Sequence, residues 1–388
     1  MAVTKIPVET LTGGPKYHWF GYYDKCQCDP NGRYVLGMEV DFEHRSPTAD
    51  DVIAVGMIDL QAGNRWTELG HSRAWCWQQG CMLQWRPGSD TQIIWNDRQD
   101  DQFVCHILDT HTGQQQTLPA PIYTIAPDGT TAFCGDFRRV NDMRPGYGYT
   151  GITDPNQNCL APDSSGIWRM DLTSGKQALI LTIADVAALP YPHGDLSKAK
   201  HYFNHLLINP DGSRLEFLHR WQGEKSAGWG TRMLTCAPDG SDVRVVDDCG
   251  ATSHFIWHDA EHILAWTQAH SRRGDFCMFN ERTGTCEPIG SALMTKDGHV
   301  NCRPHAEWLV NDTYPNAESM RSLYLYHLPS TQRIDIGTLL SPREYAGEWR
   351  CDLHPRLSPD GRKVIIDSVH AGNGRQMYLL DVGGIVAQ

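Results

Sequence analysis

One short turn recurs along this chain and limits what it can fold into. It appears as Asp29-Pro30-Asn31-Gly32, Arg86-Pro87-Gly88-Ser89, Ala126-Pro127-Asp128-Gly129, Asn209-Pro210-Asp211-Gly212 and Ser358-Pro359-Asp360-Gly361. His258-Asp259-Ala260-Glu261 and Arg303-Pro304-His305-Ala306 are degenerate copies. Pro presets one backbone angle of such a turn, and Gly takes the left-handed position that other residues resist. Each turn leads into a short apolar, β-rich run: Tyr34–Met38, Gln92–Trp95, Thr131–Cys134, Arg214–Leu218, His262–Trp266, Glu307–Val310 and Lys363–Asp367.

A second hairpin follows each run. Six are bent at Gln61-Ala62-Gly63, Thr112-Gly113, Ser174-Gly175, Asp239-Gly240, Thr283-Gly284 and Ser330-Thr331; the seventh, Gln376–Val382, lacks a partner strand. This unit repeats at roughly the 40–50 residues of a propeller blade. The repeat predicts an all-β chain: a seven-bladed β-propeller of four-stranded antiparallel blades, forming one domain over residues 1–388. The N-terminal stretch Lys5–Leu11 is expected to supply the missing strand and hide the exposed edges. Two strandless insertions, Arg138–Ser165 and Ile183–Lys200, are expected to cover one mouth of the channel.

The net charge of −12 disfavours nucleic acid and anionic membrane surfaces as partners. Binding of an anion then requires a local basic site. No apolar run approaches the ~18–20 residues of a membrane span, and Met1–Pro15 has one Lys and no apolar core. That predicts no secretory signal and a cytoplasmic protein. Thirteen cysteines without a CxxC pair fit reduced thiols better than a disulfide framework.

Aligning the blades on the turn Pro exposes the functional signal. Five residues before it stand Lys25, Met82, Ile122, His205, His299 and His354, and His254 takes a nearly equivalent place in blade five. Four consecutive blades thus present a His at matched register. His18 and Tyr23 lie just upstream in blade one, and Asp352 precedes His354 by two residues, on the same face if that segment is a strand. Imidazoles with a carboxylate are a donor set for Mn, Zn, Fe or Ni. Cys277 and Cys302 keep zinc in view. Arg220, Arg232, which follows the bend Gly228-Trp229-Gly230, Arg303, Arg350 and Arg356 share the register. Guanidinium forks grip carboxylates, so the layout predicts an anionic, carboxylate-bearing substrate.

These patches also resemble a known family, the oligogalacturonate lyases. The family's His-x(4)-Tyr-x-Lys-Cys pattern is similar to His18 through Cys26. Its Gly-His-Pro and Phe-Cys-His-Glu segments resemble Asn204-His205-Leu206 and Phe217-Leu218-His219-Arg220. Its Ala-Arg-Met-Trp, Thr-His-Glu-Phe-Trp and Ser-His-Leu-Met-Ser-Asn segments resemble Thr231-Arg232-Met233-Leu234, Ser253-His254-Phe255-Ile256-Trp257 and Gly298-His299-Val300-Asn301-Cys302. Its final His-Pro-His-Pro-Ser-Phe-Thr-Pro is similar to Asp352 through Pro359. The resemblance implies a propeller lyase that depends on a divalent metal, typically manganese. It places the general base on His254, the charge-neutralising Arg on Arg232 and metal ligands on His299, His354 and Asp352. A His ligand of the family is Asp352 here, and a Gln ligand falls at about Trp349, which cannot bind a metal.

The chemistry implied is β-elimination on a uronate oligosaccharide. His254 takes the C5 proton, and Arg232 and the metal stabilise the developing enolate. A Tyr such as Tyr23, a water or His205 is expected to protonate the leaving oxygen. His219 orients the substrate, which His18, Lys25, Arg220 and Arg303 help to bind. The alternatives are a propeller lyase for another uronide such as ulvan, a non-catalytic binding propeller, and a peptidase-associated propeller. Matched channel His argue against the second, and the lack of a Gly-x-Ser-x-Gly elbow argues against the third.

Overall fold

The computed structural model describes residues 2–223 and 229–387, so Gly228 of the bend named above lies outside the described residues. The protein is a seven-bladed β-propeller of four-stranded antiparallel sheets, one of which carries a fifth strand. Each of the seven predicted runs contains a strand, and most strands extend further, for example Tyr34–Val40, Gln92–Gln99 and Leu215–Gln222; the runs from Arg214 and Glu307 start one residue before their strands. The turn glycines behave as the sequence requires: Gly32, Gly88, Gly129, Gly212 and Gly361 all have φ between 67° and 77°. Asp29 shows why the turn is polar. Its carboxylate accepts from the backbone N–H groups of Asn31, Arg33 and Tyr34, satisfying donors at the start of the strand.

Two compact units carry the blades. The first, Met1–Pro121 with Gly298–Gln388, holds blades one, two, six and seven. The second, Ile122–Asp297, holds blades three, four and five. In the first unit, Val8–Thr10 pairs with Gln376–Asp381 and completes blade seven, as the sequence predicts. Ahead of it, Ala2–Thr4 pairs with Gln332–Leu340 and adds a fifth strand to blade six, which the sequence reading did not foresee. Apolar side chains of strands and of the segments that join them form the cores between blades. Val35, Trp75, Trp77, Ile93 and Met377 belong to one such cluster, and Leu323, Ile336, Val364 and Leu380 to another.

The two insertions contain no strands but each starts with a helix. Asp136 caps Phe137–Met143, accepting from Arg138 N–H. Thr182 and Asp185 form a reciprocal capping box on Ile183–Ala187. The first insertion is organised by a buried cation: Arg139 pairs with Asp154 and donates to the carbonyls of Asn156, Cys159, Leu160 and His201. No helix of the described residues is long and apolar enough to cross a membrane.

Candidate functional site

Of the aligned His, only His205 lies within an inner strand, Lys200–Ile208. Blade seven's inner strand is only Arg356–Leu357, and blade six's only Asn301–Cys302, so His299 and His354 lie on irregular backbone just before them. Asp352 and His354 therefore meet for a different reason than strand alternation. His354 has φ 43°, a left-handed conformation that costs a non-Gly residue roughly 1–2 kcal/mol. Met82 and His205, at the same register, have φ 55° and 52°. Strain repeated at one register position of three blades is the kind that surrounding structure enforces at functional sites. At His205 it coincides with a register break between Asn204 and Leu207.

In the first unit, His299, Asp352 and His354 converge. Their ligand atoms lie within 4.8 Å of one another, and all three are buried. Asp352 Oδ2 is 3.9 Å from Nε2 of both His299 and His354. Asp312, at the end of strand Trp308–Asp312, holds His299 Nδ1 at 2.9 Å, which fixes the tautomer with its lone pair on Nε2. His354 Nε2 is buried without a hydrogen-bond partner. The two rings stand edge to face, 4.2 Å apart, against Tyr22 and Tyr23.

Charge is placed around these donors. Arg321 and Arg350 each contact Asp352 at 2.7 Å. Burial raises the Asp352 carboxyl, but Arg350, Arg321 and the two imidazoles outweigh it and hold it well below the usual carboxylate value. Burial pushes the His354 imidazole well down, with His299 adding and Asp352 opposing. An ionised carboxylate beside neutral imidazole is the protonation state a metal requires. The donor set and the partnerless His354 nitrogen fit a divalent ion. Trp349, where the family's Gln ligand falls, ends a 3-10 turn and donates its indole N–H to Glu344; its neighbour Arg350 reaches Asp352.

In the second unit, His254 is oriented by a partner that the sequence reading missed. Its Nδ1 donates to Asp297 at 2.9 Å, which places the lone pair on Nε2, as a general base needs. His205 stacks on Phe255 with ring centroids 3.9 Å apart. Arg232 is fully buried and donates to His219 Nδ1 at 3.0 Å. Its other nitrogens reach the carbonyls of Pro190 at 3.0 Å and Val186 at 2.6 Å, both in the second insertion. Because His219 Nδ1 accepts, its Nε2 carries the proton and donates to His201 Nδ1 at 2.8 Å; His201 Nε2 then donates to Leu196 O. Arg232, His219 and His201 thus form one directed relay that pins the insertion. His219, expected to orient the substrate, has both ring nitrogens engaged and is buried.

The remaining candidates scatter. Tyr23 packs on both cluster imidazoles, with centroids 5.4 Å from His299 and 6.3 Å from His354. His18 is held by Glu39 and Gln376. Lys25 is buried on Asp24, and burial lowers its ammonium pKa while Asp24 opposes. Arg220 lies across from Tyr202 and Thr231, partly exposed, and Arg303 is exposed. Arg356 is committed to Asp367 and Gln27.

No family model matches the sequence, and no curated protein matches it. Solved structures do. Hydrazine synthase of Kuenenia stuttgartiensis aligns with a TM-score of 0.52 at 11% identity, covering 92% of this chain and 95% of that one. An oligogalacturonate lyase from Vibrio parahaemolyticus aligns with a TM-score of 0.67 at 15% identity, covering 98% and 96%. An oligogalacturonate lyase in complex with manganese reaches a TM-score of 0.70 at 16% identity, covering 99% and 95%. Over nearly its whole length, the chain is therefore similar in fold to oligogalacturonate lyases.

Proposed function

We propose that this protein is a lyase that cleaves uronate-bearing oligosaccharides by β-elimination. The observation that carries the reading is the buried His299–Asp352–His354 cluster, with its carboxylate ionised and His354 neutral. These three residues would hold a divalent ion, manganese by analogy with the neighbour solved with that metal. Such an ion, when bound, acts as a Lewis acid on the substrate carboxylate and makes the C5 proton more acidic. The side chains of this chain do the rest. His254, held by Asp297, takes the C5 proton at Nε2. Arg350, partly exposed beside Asp352, is suited to face the substrate carboxylate. Arg232 enters as a fixed buried charge rather than a carboxylate fork, because its donors serve the second insertion. Tyr23 is the candidate to protonate the leaving C4 oxygen, with His205 the second choice. Lys25, Arg220, Arg303 and His18 are assigned to substrate binding.

The departures at Asp352 and Trp349 favour a uronide other than digalacturonate as a second reading of the substrate. Purified protein with added manganese would be offered saturated and unsaturated digalacturonate and then ulvan oligosaccharides. Turnover would be followed by unsaturated-uronate absorbance and a keto-acid assay. Turnover of any of them that falls roughly 10²–10⁴-fold in His254→Ala supports the proposal. Absence of turnover on all of them refutes it.

A further inference from the structure

Blade five holds a second cluster at its outer edge that the lyase reading does not use. Cys277 lies on strand Asp275–Asn280, and Cys286 opens the outermost strand Cys286–Ile289. The register pairs Cys277 with Pro288 and Phe279 with Cys286, so the two thiols are diagonal neighbours on one face of the pair. His270, in the turn after strand His262–Thr267, brings Nε2 to 3.2 Å from Cys286 Sγ. The three ligand atoms lie within 4.8 Å of one another. Cys277 is buried, Cys286 half-buried and His270 exposed, so the cluster opens to solvent on one side.

We propose that His270, Cys277 and Cys286 bind a thiophilic divalent ion of the zinc class. Two thiolates and an imidazole select zinc over manganese, which prefers carboxylate and water oxygens. Zinc–sulfur and zinc–nitrogen bonds of about 2.3 and 2.0–2.1 Å place tetrahedral ligands roughly 3.5–3.8 Å apart, within reach of the observed spacing by side-chain rotation. Binding releases the two thiol protons to solvent as the two metal–sulfur bonds form. The neighbouring Asp247 is already committed, accepting from Thr252, Thr267 and Cys249, so the fourth position falls to water. Burial as a small apolar residue accounts for Cys277. It does not account for a half-buried thiol meeting an imidazole nitrogen. The ion would tie the four-residue outermost strand and the 268–274 turn to the body of the blade.

The test is cobalt(II) titration of the reduced, metal-stripped full chain. We expect a thiolate-to-cobalt charge-transfer band that saturates at one equivalent and is displaced by zinc. Cys277→Ser and Cys286→Ser should abolish it, and His270→Ala should weaken binding by roughly tenfold or more. The sulfur-free His299–Asp352–His354 cluster cannot produce this band, so the two metal readings fail separately. Absence of the band in natively folded protein, or its survival in both Cys variants, overturns the proposal.

Discussion

Replacing Arg232 by Ala separates a structural role from a purely chemical one. The side chain is fully buried and makes its three shortest hydrogen bonds to His219 Nδ1, Pro190 O and Val186 O, with Leu189 O farther off at 3.5 Å. A hydrogen bond to a charged group contributes about 1.5–3 kcal/mol net. The two carbonyls belong to the second insertion and can turn toward water, whereas His219 cannot, being buried with its other nitrogen on His201. Taking the lower end for each of these three bonds, the variant should lose about 4.5 kcal/mol of stability, a large share of the ~5–15 kcal/mol typical of a folded domain. Urea unfolding measures this loss directly. Limited proteolysis should show earlier cleavage within 183–200, because the pin on Val186 and Pro190 is gone. Arg232→Lys should be intermediate, keeping the charge but not the planar fork. A residue that only faces substrate would lower turnover and leave unfolding unchanged. An Arg232→Ala protein with wild-type urea midpoint and wild-type proteolysis would refute the pinning argument.

Three further outcomes follow from the same geometry. Asp297→Asn should keep the fold but lower turnover, because the tautomer and orientation of His254 are no longer imposed; unchanged kcat would remove Asp297 from the site. His354→Ala should abolish manganese stimulation after chelation, and a variant still fully restored by manganese would exclude His354 as a ligand. Acid should destabilise the protein through the relay. Burial depresses His201 to about 4 from 6.5 and His219 well below 6.5, so between those values the unfolded chain binds more protons than the folded one. Unfolding free energy should therefore fall as pH drops through that window, by about 3 kcal/mol for His201 alone. Urea midpoints between pH 7 and 4 check this, and a flatter profile is expected in His201→Gln.

What the sequence determined by itself was everything set by local physics. Turn residues and period-two alternation act over four to eight positions, so Asp29-Pro30-Asn31-Gly32 and its copies announced the blades and their number. Because every blade has the same plan, alignment on the turn also placed His299 and His354 at one register, with Asp352 two residues upstream of His354, and the three do meet. Tertiary structure decided whatever depends on which distant group arrives beside a side chain. Asp297 reaches His254 across 43 residues, and Val186 reaches Arg232 across 46. Neither pairing has a local pattern to betray it. Asp312 left a weaker trace, as an acidic residue ending an apolar strand of blade six. The sequence offered His219 and Arg232 as reactive groups because their types are reactive. Burial and the direction of their hydrogen bonds decide what they touch, since a donor already spent on a buried carbonyl is not available to another group.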